Sequence, residues 1–289
     1  GPSRIQGRTF AVASKALLLL SAPRPVLGHR VATLANAFAL SEASNMPAML
    51  QLRIRACHVR GEFTCKDNIA PAVSARAPMA DPATFDYGKL AHPPVTYGQE
   101  KRKSDERIPA ARRHIAERGL NEHRGGARAG LGIVVQGGLY NSLIRALQQF
   151  GLANAFGDSD IALLVLNVVY PLVPDEICAF CADKRAVLIV EEGQPEFIEQ
   201  EILATLRRHA IDTPVAGKDM LPMAGEYSVE VIARGLANFI AEHASESDIG
   251  AGNAWLDATV DRRAEVAPAV AKPLPARPHR RATHVNPSH

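Results

Sequence analysis

No apolar run in this sequence comes near the roughly 20 residues that a membrane-spanning helix needs. The best attempt, Lys15-Ala16-Leu17-Leu18-Leu19-Leu20, is cut short by Pro23-Arg24-Pro25. It reads as part of a strand or helix rather than as a secretion signal, so no membrane partner is expected. Charge of one sign is lacking too. A net charge of +3 over 289 residues is weak, and the basic residues do not gather on one identifiable face, so nucleic acid is not an expected partner. Cysteine is scarce: Cys57, Cys65, Cys178 and Cys181 are all there is. Cys178 and Cys181 form C-x-x-C, but a metal site needs a second ligand pair and none follows. A redox motif of this spacing belongs at a helix start just after a strand. Here it falls well inside a helical stretch that begins around Pro174. The two residues are therefore expected to be small apolar side chains in a helix interface, in a reducing, cytoplasmic setting.

The stretch from Leu131 to His243 is the most strongly patterned. Three short apolar runs, Ile133-Val134-Val135, Leu163-Leu164-Val165-Leu166 and Val187-Leu188-Ile189-Val190, are too short for buried helices. Helical faces separate and follow them. Leu143, Ile144, Leu147 and Phe150 make one, closed by Gly151 as a C-cap. Ile198, Ile202, Leu203 and Leu206 make another, with Pro195 in its first turn. Val229, Ile232, Leu236, Phe239 and Ile240 make a third. Alternating strand and helix predicts right-handed βαβ units, and continuous apolar strands predict a parallel sheet covered on both faces. The expected fold is a three-layer α/β/α domain over 129–243, about 115 residues and of ordinary size. Ligands and partners of such sheets meet the carboxyl ends of the strands. Those ends carry Gln136-Gly137-Gly138, Asn167 and Glu191-Glu192-Gly193.

Residues 1–28 show no clear pattern, and Gly1-Pro2 in place of Met reads as an expression scar or a fragment edge. From His29 a helix is expected, with Val31, Leu34, Ala35 and Phe38 on one face. Ala48 to Arg55 then alternates as a strand, with Leu50, Leu52 and Ile54 on its apolar side. One helix and one strand cannot bury a core alone, so this looks like the last unit of a partial α/β domain over 1–58. Arg55 ends the strand. On spacing alone it covers its neighbours and points to water, although a guanidinium there can also fork onto a carboxylate or phosphate. Residues 59–128 are expected to be a long solvated linker broken by prolines, with a short helix from Pro109 to Arg118 stopped by Gly119. After about Ser245 the pattern fades into Pro, Ala, Arg and His, and 244–289 is expected to be a disordered tail.

Several motifs, in order, resemble one family. They are P-A-M-L-Q-L-R-I-R-A-C-H-V-R-G-E-F-T-C-K-D-N from Pro47, L-G-I-V-V-Q-G-G-L-Y-N from Leu131, V-L-N-V-V-Y-P-L-V-P-D-E from Val165, V-L-I-V-E-E-G-Q-P-E-F-I-E-Q from Val187 and G-K-D-M-L-P-M-A-G-E-Y from Gly217. Together they are similar to a fragment of the indolepyruvate ferredoxin oxidoreductase alpha subunit, of the thiamine-diphosphate-dependent 2-oxoacid:ferredoxin oxidoreductases. The resemblance covers about residues 29–243. It implies that 1–58 is the end of a pyrimidine-binding domain and 129–243 a domain like the C-terminal domain of transketolase. It implies oxidative decarboxylation of aryl 2-oxoacids such as indolepyruvate to acyl-CoA. The implied partners are a second subunit, ferredoxin, the 2-oxoacid and coenzyme A; the implied cofactors are thiamine diphosphate, Mg²⁺ and [4Fe–4S] clusters.

No Gly-Asp-Gly signature for the diphosphate appears, and no Cys-rich segment follows the Pro-rich Lys272–Pro278 stretch. The chain is therefore expected to be truncated, inactive alone, and without bound cofactor. Arg55-Ala56-Cys57-His58 resembles the Arg-Thr-Ser-His stretch of related pyruvate enzymes, which implies a substrate-carboxylate role for Arg55. No residue is expected to be catalytic. The rival readings are a non-enzymatic α/β assembly domain and, less favoured, a nucleotide site at Gln136-Gly137-Gly138.

Overall fold

The computed structural model describes residues 18–21, 27–51, 62, 64, 67, 86–126, 130–245 and 249–270. In chain order the elements are β1 (Leu18–Ser21), α1 (Leu27–Ser44), β2 (Ala48–Gln51), a 3₁₀ turn (Tyr87–Lys89), α2 (Val95–Arg102), a π-helical turn (Lys103–Arg107), α3 (Ile108–Arg118), β3 (Glu122–Arg124) and β4 (Leu131–Gln136). A second 3₁₀ turn (Gly137–Leu139) follows, then α4 (Tyr140–Gln149), β5 (Ala162–Leu166), β6 (Val168–Tyr170), α5 (Pro174–Cys181), β7 (Ala186–Val190), α6 (Phe197–Arg208), β8 (Val215–Ala216), α7 (Val229–His243) and α8 (Gly250–Val270).

Five strands form one sheet in the order β3-β5-β4-β7-β8. β4 runs parallel to β5 and β7, and β7 parallel to β8. Only β3, on the edge, is antiparallel. Successive side chains of a strand point to opposite faces, so every residue of β7 is buried. Ile133, Val135, Leu163, Val165, Leu188 and Val190 pack under α4 and α7. Val134, Leu164, Leu166, Val187 and Ile189 pack under α5 and α6. This is the three-layer, mostly parallel α/β arrangement that the continuous apolar runs predict.

The helices follow their stripes closely. Leu143, Ile144, Leu147 and Phe150 are buried. Gly151 takes a left-handed φ of 67°, and Leu152 N–H donates to Leu147 O at 2.9 Å, which closes α4 as a glycine C-cap does. Ile198, Ile202 and Leu206 are buried on α6, but Leu203 is 45% exposed at the margin of the stripe. Pro195 lies ahead of the N-cap Glu196 rather than in the first turn. α7 is capped by Ser228, whose Oγ accepts from Val231 N–H at 3.4 Å.

Three segments differ from their expected form. The charged stretch up to Arg118 is not a solvated connection with a short helix: it is helical from Val95. The π-helical turn ends just before Pro109, where the proline ring would clash with the carbonyl four residues back. Ala111 and Ile115 bury against Ala37 and Leu40 of α1, and Arg112 Nε donates to Leu172 O at 2.8 Å. The charges that suggested solvent merely face it. In α1, the expected apolar face is the outer one: Leu34 and Phe38 are exposed, and Thr33, Ala37, Leu40 and Ser44 are buried. Small residues let α3 approach on that side, which outweighs the larger side chains opposite.

The third is the tail. Residues 250–270 form α8, with Leu256 buried and Trp255 packed on the core below α4 and α7. Arg263 pairs with the buried Glu230 of α7 at 2.6 Å. The stripe on α8 is too weak to read from sequence because the contact relies on Gly252, whose missing side chain lets the helix rest on Phe150.

A second sheet has the order β2-β1-β6. β1 pairs in parallel with β2, Leu19 opposite Met49, and antiparallel with β6, Leu19 opposite Tyr170. Its third strand therefore comes from the segment directly after β5. Val168, Val173, Ala48 and Leu50 join Ala37, Leu40 and Ile115 in one cluster.

Candidate functional site

β5 lies on one side of β4 and β7 on the other, so the chain reverses direction at β4. The crevice between the carboxyl ends of β4 and β7 is the topological switch point, where ligands of such folds bind. Here the protein's own polar groups occupy it. Gln136 Oε1, at the end of β4, accepts from Glu192 N–H at 3.0 Å. Glu191, directly after β7, is 5% exposed. Its carboxylate sits at the amino end of α6, accepting from Ile198 N–H at 3.0 Å and Glu199 N–H at 3.1 Å. That is the position an external anion takes at a helix start.

The loop from Gly217 to Tyr227 closes over this corner. Lys218 Nζ donates to Glu191 O at 2.5 Å and to Tyr227 Oη at 2.7 Å. Tyr227 Oη donates onward to Pro222 O at 2.7 Å. Tyr227 N–H donates to Glu192 Oε2 at 2.6 Å, and Lys218 N–H to Glu199 Oε2 at 2.9 Å. Burial pushes the Glu191 carboxyl up to about 7, against the pull of the α6 amides and of Lys218. Burial also lowers the Lys218 ammonium, while the surrounding glutamates hold it up. It raises Tyr227, helped by Glu191, Glu192 and Glu199. The corner is a closed carboxylate–ammonium–phenol network. A phosphate at Gln136-Gly137-Gly138 would face Glu191 and Glu192, with Lys218 already engaged, which disfavours the nucleotide reading.

A second polar corner lies at the end of β5. Asn167 Nδ2 donates to Leu120 O at 2.8 Å and to Glu122 Oε1 at 3.1 Å. Asn121 Oδ1 accepts from Val168 N–H, and Asn121 Nδ2 donates to Glu176 Oε2 at 2.7 Å. These bonds fasten β3 and the end of α3 to the sheet. Asn167 Oδ1 is buried with no hydrogen-bond partner among the described residues.

Arg55, the expected substrate-binding residue, lies outside the described residues, as do Cys57 and His58. Cys181 is buried in α5 and Cys178 half-buried. Burial pushes the Cys181 thiol up to about 12, so it is not a poised thiolate. Among the described residues no group of three or more His, Cys, Asp or Glu is placed to hold a metal ion. Cys178 and Cys181, the two described cysteines, do not by themselves supply the four thiolates of an iron–sulfur cluster. Sequence reasoning singled out the ends of β4, β5 and β7 but missed Lys218, Tyr227 and Glu199. Lys218 and Tyr227 lie on a motif read only for its resemblance, and nothing in their spacing announces that they fold back onto Glu191.

No family model matches the chain. It is 28% identical over 246 residues to indolepyruvate oxidoreductase subunit IorA of Methanothermobacter marburgensis, covering 81% of this chain and 36% of that protein. It is 28% identical over 205 residues to the subunit of the same name from Methanothermobacter thermautotrophicus, covering 70% of this chain and 31% of that one. The chain thus spans about a third of the length of these relatives. Among solved structures, a 2-oxoglutarate:ferredoxin oxidoreductase from Magnetococcus marinus superposes with a TM-score of 0.48 at 16% identity, covering 78% of this chain and 42% of that one. A split-gene transketolase gives 0.40 at 11%, covering 81% and 59%. By its motifs and over most of its length, the chain is similar to indolepyruvate oxidoreductase subunit IorA.

Proposed function

We propose that this chain is part of a 2-oxoacid:ferredoxin oxidoreductase, and that its reaction is the oxidative decarboxylation of an aryl 2-oxoacid, indolepyruvate, to the acyl-CoA with ferredoxin as acceptor. The observation that supports this most is the match to two curated IorA subunits over 81% and 70% of the chain. The chain would work in the cytoplasm with a second subunit. Thiamine diphosphate, Mg²⁺ and the iron–sulfur clusters would be held by parts of the complete enzyme beyond these side chains, and they would supply the carbanion and electron-transfer chemistry. This chain's share is positioning. Its parallel sheet and the brace of α2 and α3 form a rigid platform, and Arg55 is assigned to hold the substrate carboxylate in a bidentate pair.

The test is reconstitution. The chain is combined with the remaining segments and the second subunit, and 2-oxoacid-dependent reduction of ferredoxin is followed with coenzyme A and thiamine diphosphate present. Turnover is expected in the assembled enzyme, fastest with indolepyruvate, and none with this chain alone. An assembled complex in which no 2-oxoacid supports ferredoxin reduction would refute the reading and leave a scaffold role.

A further inference from the structure

Two apolar groups stand exposed at the carboxyl edge of the five-stranded sheet. The first is on the loop from Gly217 to Tyr227. Pro222, Met223 and Ala224 are exposed there, Met223 by 42%. The backbone that carries them is pinned. Leu221 seats on α7 where Gly235 leaves room; a Cβ there would lie 2.4 Å from Leu221 Cδ2. Pro222 O accepts from Tyr227 Oη at 2.7 Å. Met223 is thus held outward by a fixed turn.

The second is the far end of α8. This helix starts at the amino edge of the sheet, where Gly252 rests on Phe150 at the end of α4. It reaches the carboxyl edge at Arg263, which pairs with Glu230 in the first turn of α7. Val270 lies seven residues further on, roughly 10 Å of helix. Every residue from 260 to 268 is exposed. Gly252, Leu256, Thr259 and Arg263 mark the face that meets the body, since steps of three and four residues stay on one side of a helix. The next positions on that face are Val266, 50% exposed, and Ala267, also exposed. The docked face of α8 therefore continues, still apolar, past the start of α7.

We propose that this edge is a protein-docking surface with Met223 and Val266 at its apolar centre. Its occupant is a different polypeptide, the second subunit, which meets it with apolar side chains rimmed by Lys and Arg. The inference rests on the assembly proposed above. Because the face of α8 is packed over its first half and stays apolar beyond it, continuity extends that interface outward. Charge selects the partner. Glu192 and Glu199 border the loop, accepting from Tyr227 N–H and Lys218 N–H, and Asp219 and Glu226 lie on it. The loop's one basic residue, Lys218, is bonded inward to Glu191 O and Tyr227 Oη. A second copy in two-fold pairing would set the same patch against itself, carboxylates facing carboxylates. Two helix ends alone would also fall far short of the roughly 800 Å² per partner that a stable interface buries. A basic-rimmed partner that spans both helix end and loop meets both conditions.

Met223→Lys and Val266→Lys test it, with Phe156→Lys as the control. Phe156 is exposed on the loop after α4, at the opposite edge of the sheet. Circular dichroism and Trp255 emission should match the unaltered chain in all three. Affinity for the second subunit is measured by calorimetry at low and raised salt. Each edge variant should weaken it at least about tenfold, and Phe156→Lys should leave it unchanged. Glu226→Lys should remove part of the salt dependence. If the unaltered chain binds and neither edge variant weakens it, the surface is wrong and the assembly stands. If the unaltered chain does not bind the second subunit, the assembly reading falls and the surface with it. A chain that dimerises alone until Met223→Lys restores the monomer, or an edge covered by the remaining segments of the enzyme, overturns the choice of partner. Hydrogen exchange needs no variant: the second subunit should protect the amides of Met223, Ala224 and Val266, and unchanged exchange there overturns the surface.

Discussion

Replacing Gly252 by Ala asks whether α8 is a docked element of the fold, and the sign of the effect gives the answer. On an isolated or solvent-facing helix the change helps, because Ala is better than Gly by about 1 kcal/mol in a helix interior. In this structure a Cβ on Gly252 would lie 2.0 Å from Cδ1 and 2.1 Å from Cε1 of the buried Phe150 ring. Forcing an extra carbon into a packed contact costs about 1–3 kcal/mol. The net expectation is a loss of up to about 2 kcal/mol. If α8 lifts instead of straining, the buried Leu256 is exposed, at a cost of about 1.5–3 kcal/mol. Trp255 is the one tryptophan in the chain and packs on the core from α8, so its emission reports docking directly. Urea unfolding followed by that emission and by circular dichroism is the assay. The variant should unfold at lower urea, with Trp255 emission shifted to the red before denaturant is added. A Gly252→Ala protein that is more stable, with unshifted emission, would show that α8 does not rest on Phe150.

Leu164→Ala removes a fully buried side chain beneath α5 and α6 and should lower unfolding stability by about 2–5 kcal/mol in denaturant titration. Limited proteolysis should spare 95–118 as well as 131–243; early cuts within Ile108–Arg118 would contradict its burial against α1. In the reconstituted enzyme, Arg55→Ala should reduce kcat/KM for the 2-oxoacid by about 1.5–3 kcal/mol, and Arg55→Lys should restore only part, since an ammonium lacks the planar fork. Arg53→Ala is the control. A larger effect there than at Arg55 would show that the strand register is wrong.

The parallel sheet was legible because its strands are apolar on both sides, a pattern with few competing explanations. β5 and β7 each extend one residue beyond the runs that announced them, and β4 three. Edge strands were not legible. Glu122–Arg124 carries three charged or titratable residues, and it is held by antiparallel bonds to β5 and by Asn121 and Asn167, not by an apolar stripe. α1 misled because size and burial part company there: alanine and threonine face the neighbour while Leu34 and Phe38 do not. The site was half legible. Fold rules name the strand ends at which ligands gather, so Gln136, Asn167 and Glu191 could be listed in advance. Lys218 reaches Glu191 across 27 residues of chain, from a loop whose Leu221 seats where Gly235 leaves room.

The strand that β6 lends to the N-terminal sheet sets an order of events during synthesis. Leu19 and Tyr170 are partners separated by about 150 residues, on the order of ten seconds or more of translation at roughly 5–20 residues per second. Until Val168–Tyr170 emerges, β1 has β2 beside it but not β6, and one edge of β1 is left open. That edge closes only when the segment following β5 is made. Completion of the first sheet is therefore a report that the second has begun to form, and a nascent chain stalled before residue 168 should be the species that chaperones hold.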